Sequence, residues 1–386
     1  MRIVLNGWFI DQPHTGSGQY TLQLLKRLPQ VAPQHEYAVI VPHRNSFQII
    51  DLQPPTANFQ LPTANFQPPT ANLRKVLFEQ DLTPRAARAY HADVLHVPYW
   101  APPLRSSVPI VVTLHDIIPL ALKDYRGGPL VRAYTGLVSA AARGATLILT
   151  DSNASRSDII ARLGVPPDRV RTIYLAADPK FTDRVNPIDS TALRKNHDLP
   201  ADYVLYLGGF DARKNIAAAL QTYTWAQAAL GDNYPLVIAG RLPDRHDAFF
   251  HDPRVIAKQI EVDDVVRCIG AVAEEDKVAL YQQARAFLYP SIYEGFGLPA
   301  LEALACGVPV VGSNAAAIPE IVGEAGMLVD PHDARAMAGA LIAVCTDDAL
   351  HADLSERALK QAAKFSWEKC ARETVAAYEK VVSDEW

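Results

Sequence analysis

Apolar residues along the chain fall into two patterns: short continuous runs, and longer stretches in which they recur every three or four positions. Runs rich in Val, Ile and Leu predict buried strands, and the periodic stretches between them predict helices. The predicted strands are residues 2–6, 37–41, 94–97, 110–114, 146–149, 204–207, 236–239, 266–269, 286–289 and 308–311. Apolar strands that alternate with helices are typical of parallel sheets covered on both faces. Two such sets predict an α/β chain with two doubly wound domains.

The domain boundary is predicted in the polar segment 186–200, just before the strand-like sequence YVLYLGG. We therefore expect an N-terminal Rossmann-like domain over residues 1–195 and a C-terminal one over residues 196–366. Residues 367–386 continue the amphipathic sequence FSWEKCARETVAAYEKVV, in which Ser366 is the predicted N-cap of a helix. We expect this helix to pack back on the N-terminal domain.

Residues 55–72 repeat with a period of seven, as PTANFQL, PTANFQP and PTANL. The period suits a coiled coil, but the Pro in each unit excludes a helix interior. The repeat is also too short for a solenoid. It therefore predicts an expanded surface loop, and a functional role, such as covering a binding site, stays open as an alternative.

Charge is spread unevenly along the 386 residues. Residues 1–180 hold 18 Lys and Arg against 12 Asp and Glu, whereas the remainder holds 19 against 30. The basic half would suit an anionic membrane surface or acceptor, and an ordinary surface composition is the alternative. The N-terminus MRIVLNGWFI predicts a buried strand rather than a secretory signal, and no apolar run is long enough to cross a membrane. We therefore expect a cytoplasmic protein.

The segment 289–330 carries the strongest chemical signal. A predicted strand ends at Pro290, a loop with Glu294 follows, and a helix then begins near Pro299. The free N–H groups and partial positive charge of a helix N-terminus suit a diphosphate. Glu294 and Glu302 flank that start, and carboxylates accept hydrogen bonds from vicinal hydroxyls of a hexose or ribose. A solvated Glu in an ordinary strand–loop–helix connection is the alternative.

Three further segments place polar residues after predicted strands. Arg213 and Lys214, in LGGFDARKN, are adjacent cations suited to a diphosphate, although an exposed pair at a helix start has the same sequence. Gly16 and Gly18, in DQPHTGSGQY, precede a predicted helix and give a weak phosphate-turn signal. His115, in VVTLHDIIP, follows a buried strand at the edge where ligands bind, although a lone His is more often structural.

The pattern E-GFGLPAL-E at Glu294 and Glu302, with GVPVVGSNAAAIPEIVGEAGMLVDP after it, resembles the retaining glycosyltransferases of family 4. The resemblance extends from the N-terminal glycine loop to the terminal helix. It implies the GT-B fold, in which two Rossmann-like domains face each other across a cleft. It also implies that Glu294 binds hydroxyls of the donor sugar, and that Glu302 binds the ribose. The residues whose backbone would hold sugar and phosphate are Gly295, Phe296, Gly297 and Leu298, and Val272 would line the nucleobase pocket.

The same resemblance assigns roles to the three weaker segments. His115 would position and polarise the donor sugar near its C6 hydroxyl, and Gly18 would face the donor phosphates. Many relatives carry an Arg five residues before the Lys, where this chain has Gly209. We therefore expect Arg213, next to Lys214, to supply the missing charge.

The family's expected reaction is front-face transfer with retention, in which the leaving diphosphate accepts the acceptor's proton. The sequence shows no DxD motif and no zinc-like cysteine spacing, so we expect no metal and no other cofactor. The HDIIP and ARKN segments resemble bacterial mannosyltransferases that use GDP-mannose and build polysaccharides on saccharide or lipid-linked acceptors. UDP-glucose and UDP-N-acetylglucosamine stay open as donors.

The expected partners are the nucleotide-sugar donor and the acceptor, with no nucleic acid. The basic segment 73–90 would suit peripheral contact with the inner face of the cell membrane, and a solvated helix face is the alternative. Two other functions stay open. A nucleotide-sugar epimerase or hydrolase would need acid–base residues at the sugar ring, and a non-catalytic binder would show no turnover.

Overall fold

The computed structural model of the chain describes residues 1–13, 15–43, 46–52, 71–183, 193–231 and 233–383. The chain divides into a first unit, Met1–Leu175 with Ser366–Trp386, and a second unit, Ala176–Phe365. The first unit thus ends before the boundary predicted at residue 195. Ile173 and Leu175 are buried in line with the last strand of the first sheet, whereas Phe181 packs into the core of the second unit.

The first unit contains a seven-stranded sheet. Its strands are β1 (Arg2–Asn6), β2 (Glu36–His43), β3 (Ser46–Asp51), β4 (Val94–Val97), β5 (Ile110–Thr113), β6 (Leu147–Thr150) and β7 (Val170–Thr172). The strand order is β3-β2-β1-β4-β5-β6-β7, and only β3 is antiparallel to its neighbour. The chain therefore builds outwards in opposite directions from β1 and β4, as in a doubly wound fold.

The helices of the first unit cover this sheet. Those before the second unit are α1 (Gly16–Val31), α2 (Ala71–Leu77), α3 (Thr83–Ala89), α4 (Ile118–Ala121), α5 (Pro129–Gly144) and α6 (Asn153–Leu163). A π-helical turn, Phe78–Leu82, joins α2 to α3. Of the predicted repeat loop 55–72, residues 55–70 lie outside the described part of the chain. Residues 71 and 72 begin α2 instead of ending a loop.

The second unit contains a six-stranded parallel sheet. Its strands are β8 (Val204–Leu207), β9 (Leu236–Ala239), β10 (Val266–Gly270), β11 (Ala286–Tyr289), β12 (Val310–Ser313) and β13 (Gly326–Val329). The order is β10-β9-β8-β11-β12-β13. Neighbouring residues of one strand enter different cores: Leu205 packs on one face of the sheet, and Val204 and Tyr206 on the other. Both faces are therefore covered, which is why these strands are apolar throughout.

Helices lie on both faces of the second sheet. They are α7 (Ile216–Leu230), α8 (Pro253–Gln259), α9 (Lys277–Gln282), α10 (Leu298–Ala305), α11 (Ile318–Val322), α12 (Ala334–Thr346) and α13 (Asp348–Ala362). The strand predicted at 308–311 begins two residues later, at Val310. The preceding Pro309 has no N–H to donate to a ladder.

The last helix of the chain, α14 (Trp367–Ser383), belongs to the first unit. Ser366 caps it, since its Oγ accepts a hydrogen bond from the Lys369 N–H at 3.1 Å. Tyr378 on α14 places its hydroxyl 2.6 Å from Nδ1 of His96, a fully buried residue of β4. The terminal helix is therefore tied to the first sheet by a buried polar contact as well as by packing.

Candidate active site

Two loops of the second unit meet where its strand order reverses. One follows β8 (residues 208–215), and the other follows β11 (residues 290–297). Neighbouring parallel strands with connections that leave in opposite directions open a crevice at their carboxyl ends, and ligands of such sheets bind there. The Ile292 N–H donates to the Arg213 carbonyl oxygen at 2.7 Å, which joins the two loops.

These loops bring together three of the predicted catalytic residues. The Glu294 carboxylate accepts from Arg213 Nη1 at 2.9 Å and from Lys214 Nζ at 2.6 Å. Arg213 also uses Nε to contact the Asp211 carboxylate at 3.2 Å. Asp211, Arg213, Lys214 and Glu294 form one network, here called the Glu294 cluster. Two cations and two carboxylates balance, which allows the group to be largely buried.

The charges of the cluster fix the ionisation of Glu294, of which 8% is exposed. Burial alone would raise the pKa of its carboxyl, but the Lys214 and Arg213 cations outweigh burial and hold the pKa below the ordinary value. Glu294 is therefore an anion at neutral pH. Each carboxylate oxygen offers two acceptor positions, so hydrogen bonds to both cations leave acceptor capacity for hydroxyl groups.

The loop of Glu294 leads directly into α10, whose first turn has no side-chain cap. Gly297 stands before the helix at φ 107°, a conformation that favours glycine. The Phe296 ring is buried and packs edge-on against Phe365, with ring centroids 6.0 Å apart. The Phe296 side chain therefore anchors the loop, while the backbone of Gly295, Phe296, Gly297 and Leu298 remains the part suited to a ligand.

Glu302 lies one helical turn further along α10, in different surroundings. It is 8% exposed, and its Oε2 accepts a hydrogen bond from the Tyr281 hydroxyl at 3.0 Å. Burial raises the pKa of Glu302 to about 7, against the opposing effects of Lys277 and of the Tyr281 hydrogen bond. Val272 packs, half-buried, against the same core as Tyr281. Val272 and Tyr281, the partner of Glu302, thus belong to the same core.

The glycines predicted before α1 lie inside it. The helix begins at Gly16 because Thr15 caps it: the Thr15 Oγ1 accepts a hydrogen bond from the Gly18 N–H at 3.1 Å. A Cβ atom at Gly18 would lie 1.9 Å from the Gln12 carbonyl oxygen. Gly18 therefore permits a close backbone approach, and its N–H is already used within the cap.

His115 follows β5 in the first unit and has partners on both ring nitrogens. Nδ1 lies 2.7 Å from Oδ2 of Asp151, and Nε2 lies 3.2 Å from the Pro98 carbonyl oxygen. Burial lowers the pKa of His115, but the Asp151 carboxylate outweighs burial and the net shift is upward. Two acceptors on one ring suit the imidazolium form, which donates from both nitrogens.

The sequence did not single out a segment that supports the Arg213 loop. Oδ1 of Asp247 accepts from the Phe249 and Phe250 N–H groups at 2.8 and 2.7 Å and closes a tight turn. The Phe249 carbonyl of that turn accepts from the Ala212 N–H at 2.8 Å. An Asp two and three residues before its donors is a local turn signal. The hydrogen bond between Ala212 and Phe249 joins residues far apart in the sequence, so no local pattern predicts it.

Asp151, the partner of His115, and Tyr281, the partner of Glu302, were also absent from the predicted site. Each lies on another element, and only the folded chain brings it to its partner. Within the described residues, no group of three or more His, Cys, Asp and Glu side chains is arranged to hold a metal ion. No helix in that part of the chain is long and apolar enough to span a membrane.

Comparisons with known proteins match the two halves of the chain separately and the whole chain together. The family profile "Glycosyltransferase Family 4" matches residues 14–181, and "Glycosyl transferases group 1" matches residues 189–361. The O-antigen chain mannosyltransferase B of Escherichia coli is 35% identical over 98% of this chain and 99% of its own length.

Solved structures agree in fold. The sucrose-phosphate synthase of Thermosynechococcus elongatus is 21% identical, with a TM-score of 0.71 and complete coverage of both chains. A glycosyltransferase of Rickettsia africae is 15% identical, with a TM-score of 0.71 over 100% of this chain and 99% of its own. The predicted GT-B fold class is thereby confirmed.

Proposed function

Since the chain belongs to the group 1 and family 4 glycosyltransferases and is a hexosyltransferase, we propose that it transfers mannose from GDP-mannose to a saccharide or lipid-linked saccharide. The observation that carries this proposal is the Glu294 cluster, an anion between two cations at the switch point of a doubly wound sheet. The choice of mannose draws on the near full-length similarity to an O-antigen mannosyltransferase.

The proposed donor site lies in the second unit. Glu294 accepts hydrogen bonds from sugar hydroxyls, and Glu302 accepts them from the ribose, with Val272 beside the base. The backbone at 295–298 and the N-terminal end of α10 hold the diphosphate. Lys214 contributes further N–H donors to that diphosphate, because an ammonium group carries three and Glu294 uses one.

The proposed reaction retains the anomeric configuration by front-face attack. The acceptor oxygen forms a bond to the anomeric carbon on the side from which the nucleoside diphosphate departs, and the departing phosphate oxygen takes the acceptor's proton. Arg213, Lys214 and the helix N-terminus stabilise the negative charge that develops on the leaving group. Glu294 stays ionised and holds the sugar, without forming a covalent bond to it.

The proposed reaction needs no metal, because side-chain cations supply the positive charge beside the leaving group. Dialysis against EDTA is expected to leave the transfer rate unchanged. A rate that falls after chelation and returns with Mg²⁺ or Mn²⁺ would refute this part of the proposal.

In the first unit, we propose that His115 donates a hydrogen bond from Nε2 to the donor sugar, which replaces the longer contact of Nε2 with the Pro98 carbonyl. The raised pKa and the contact with Asp151 favour a ring that donates rather than one that removes protons. A phosphate contact at the start of α1 rests on Gly16 rather than Gly18. Nothing lies within 4 Å of a Cβ built at Gly16, whereas the Gly18 N–H is used by Thr15.

Thermal unfolding against a panel of nucleotides and nucleotide sugars tests the donor. GDP and GDP-mannose are expected to raise the Tm, with a diminished shift in Glu302→Ala, because ligands that bind only the folded state stabilise it. A shift with UDP compounds alone would replace mannose by glucose or N-acetylglucosamine. If no nucleotide changes the Tm, the proposed donor site is refuted.

Product analysis separates transfer from the two other functions. With GDP-mannose and oligomannoside acceptors, a transferase forms GDP and a longer saccharide whose new linkage retains the α configuration. Release of free mannose, or formation of an isomeric nucleotide sugar, without dependence on acceptor would indicate a hydrolase or an epimerase. Binding without any product would indicate a non-catalytic protein.

We also propose that the enzyme works in the cytoplasm, in peripheral contact with the inner face of the cell membrane. The support for membrane contact is the excess of Lys and Arg in residues 1–180. Separation of a cell lysate into soluble and membrane fractions at low and high salt tests it. Recovery in the membrane fraction at low salt and in the soluble fraction at high salt is the expected result.

A further inference from the structure

Four large apolar side chains of the first unit face solvent at one place, on α2 and the first turn of α5. They are here called the leucine patch, and their exposed fractions are Leu73 80%, Leu77 51%, Leu130 86% and Val131 49%. Three of them, with Lys75, Val76 and Tyr134, line a cavity of about 360 Å³. Single exposed apolar residues are ordinary, but a group of this kind marks an interaction surface.

The leucine patch is presented by an anchored helix. The Lys75 ammonium on α2 contacts the buried Glu79 carboxylate at 3.1 Å and the Tyr134 hydroxyl at 3.0 Å. It also lies 5.1–5.8 Å from the ring centroids of Phe9, Tyr99 and Tyr134. Lys75 therefore binds α2 to α5 and to the core, with its charge compensated, and the neighbouring leucines are held at the surface.

A second groove runs along another side of α5, with a volume of about 320 Å³. Four arginines line it and define what is here called the arginine groove: Arg126, Arg132, Arg143 and Arg162. Backbone carbonyls hold three of these side chains in place, those of Arg132, Arg143 and Arg162. Nε of Arg132 donates to the Gly127 oxygen at 3.0 Å, and Nε of Arg143 donates to the Leu163 oxygen at 2.8 Å.

The charge of the arginine groove is largely uncompensated. Arg162 donates to the Leu120 carbonyl at 3.1 Å and lies 3.6 Å from the Asp158 carboxylate. Within the described residues, this is the only ion pair made by the four arginines. Neutral carbonyls orient a guanidinium without cancelling its charge, and oriented guanidinium groups bind phosphate well.

The two features share one helix. Leu130, Val131 and Tyr134 of α5 face the apolar cavity, whereas Arg132, Gly136 and Arg143, spaced by whole turns, face the arginine groove. As the site of the membrane contact proposed above, on which this inference rests, we propose that α2, α4 and α5 form a docking surface for a bilayer that contains anionic phospholipids. The leucine patch enters the acyl boundary, and the arginine groove binds headgroup phosphates.

Charge complementarity and the degree of exposure favour a bilayer over a single small ligand. Leu73 and Leu130, which are 80% and 86% exposed, project from the surface, and the cavity that they help to line is open to solvent. A bilayer presents apolar chains and anionic phosphates side by side over a wide area, as these two features require. The surface thus combines an apolar contact with a phosphate contact.

Co-sedimentation tests this proposal with the full chain. The vesicles contain either equal parts of phosphatidylglycerol and phosphatidylcholine, or phosphatidylcholine alone. The parent protein is expected to bind the anionic vesicles about tenfold more tightly, with loss of binding at high salt. Leu73→Ser with Leu130→Ser, and separately Arg126→Ser with Arg132→Ser, are each expected to weaken binding about tenfold.

Matched controls keep the test specific. Leu104→Ser removes another exposed leucine of the first unit, 52% exposed, and is expected to bind like the parent. Arg245→Ser with Arg357→Ser removes two exposed arginines of the second unit and is also expected to be neutral. The Tm shift with GDP should persist in all variants, because the proposed donor site lies in the second unit.

Three results would overturn the docking surface. One is the absence of vesicle binding, and another is equal binding by the parent and both double variants. The third is complete competition by millimolar inorganic phosphate, which would make the arginine groove a site for a small anion. None of these results bears on the proposed transferase activity, which the GDP shift and the product analysis test separately.

Discussion

The two carboxylates of the E-x7-E pattern have the same side chain, the same exposed fraction of 8% and opposite electrostatic surroundings. Glu294 lies between Lys214 and Arg213, which hold its pKa below the ordinary value despite burial. Glu302 instead accepts a hydrogen bond from the neutral Tyr281 hydroxyl, and burial raises the pKa of Glu302 to about 7. Partners, not burial, therefore decide whether such a group is an anion at neutral pH.

This difference suggests a division of roles. Glu294 is a permanent anion whose charge is needed to balance two cations and to hold hydroxyls beside the reacting carbon. Glu302 is close to half-protonated at neutral pH, so a ligand whose hydroxyls donate to it favours the ionised form.

Glu294→Gln keeps the shape of the side chain and removes its charge. Arg213 and Lys214 then lose their shared counter-ion, and the sugar loses its anionic acceptor. We expect the rate of GDP formation from GDP-mannose to fall by about 100-fold to 1,000-fold. Glu302→Gln is the matched control, with an expected loss of less than about tenfold in kcat. Equal losses of rate in the two variants would show that the two carboxylates do not differ in their importance for transfer.

Glu302→Gln is expected to change the pH dependence of stability. The native state binds the Glu302 proton more tightly than the unfolded chain does, because the pKa rises from 4.5 to about 7. Stability conferred by the protonated group is thus present below about pH 4.5 and is lost as pH rises through about 7. Relative to the Gln variant, the parent should lose about 3 kcal/mol of unfolding free energy over this range. Denaturant unfolding at several pH values measures this difference, and parallel curves would contradict the raised pKa.

The sequence predicted the strands of both sheets that are apolar throughout, because a strand buried on both faces has a continuous run of apolar residues. It did not predict β3, β7 or β13. The edge strand β3 alternates polar and apolar residues, β7 has three residues including Arg171, and β13 begins with a glycine. Such strands exist because a neighbouring strand offers hydrogen bonds, and that depends on the tertiary fold.

Tyr281→Phe changes the surroundings of Glu302 and leaves those of Glu294 intact. The change removes the Tyr281 hydroxyl, which donates a hydrogen bond to Oε2 of Glu302. In the parent protein, that hydrogen bond lowers the pKa of Glu302. We therefore expect the pKa of Glu302 to rise further, so that the pH-dependent loss of stability moves to higher pH. The lost hydrogen bond should also cost about 1 kcal/mol. The same unfolding series measures both effects, and Tyr281→Phe in the Glu302→Gln background is the control, in which the pH effect should vanish.

Asp247→Ala tests whether the turn at Asp247 helps to position Arg213, a partner of Glu294. Without the Asp247 carboxylate, the turn that accepts the Ala212 N–H is expected to loosen, and Arg213 with it. We expect kcat to fall about fivefold, with little change in KM. Asp247→Asn keeps Oδ1 as an acceptor and is expected to restore the rate. If Asn and Ala behave alike, the turn does not position Arg213.

Sequence spacing placed Arg213, Lys214 and Glu294 in one site but did not predict their pairing. Each follows a strand at the same sheet edge, which spacing reveals, whereas β8 and β11 become neighbours only through the strand order of the folded sheet. The prediction that Gly16 and Gly18 precede the first helix was wrong. Thr15 caps α1, so the helix starts at Gly16, earlier than the apolar periodicity indicates. Caps and cross-strand partners depend on single side-chain atoms, and a pattern of residue types does not fix those.

Calorimetric titration of GDP and of GDP-mannose into the parent, Glu294→Gln and Glu302→Gln tests the division of roles most directly. We predict that Glu294→Gln binds GDP as the parent does but loses the extra affinity that mannose confers. Glu302→Gln should bind both ligands about tenfold more weakly, since it loses a charge-assisted hydrogen bond to the ribose. The reverse pattern, with GDP affinity lost in Glu294→Gln and kept in Glu302→Gln, would show that Glu294 binds the nucleoside diphosphate and Glu302 does not.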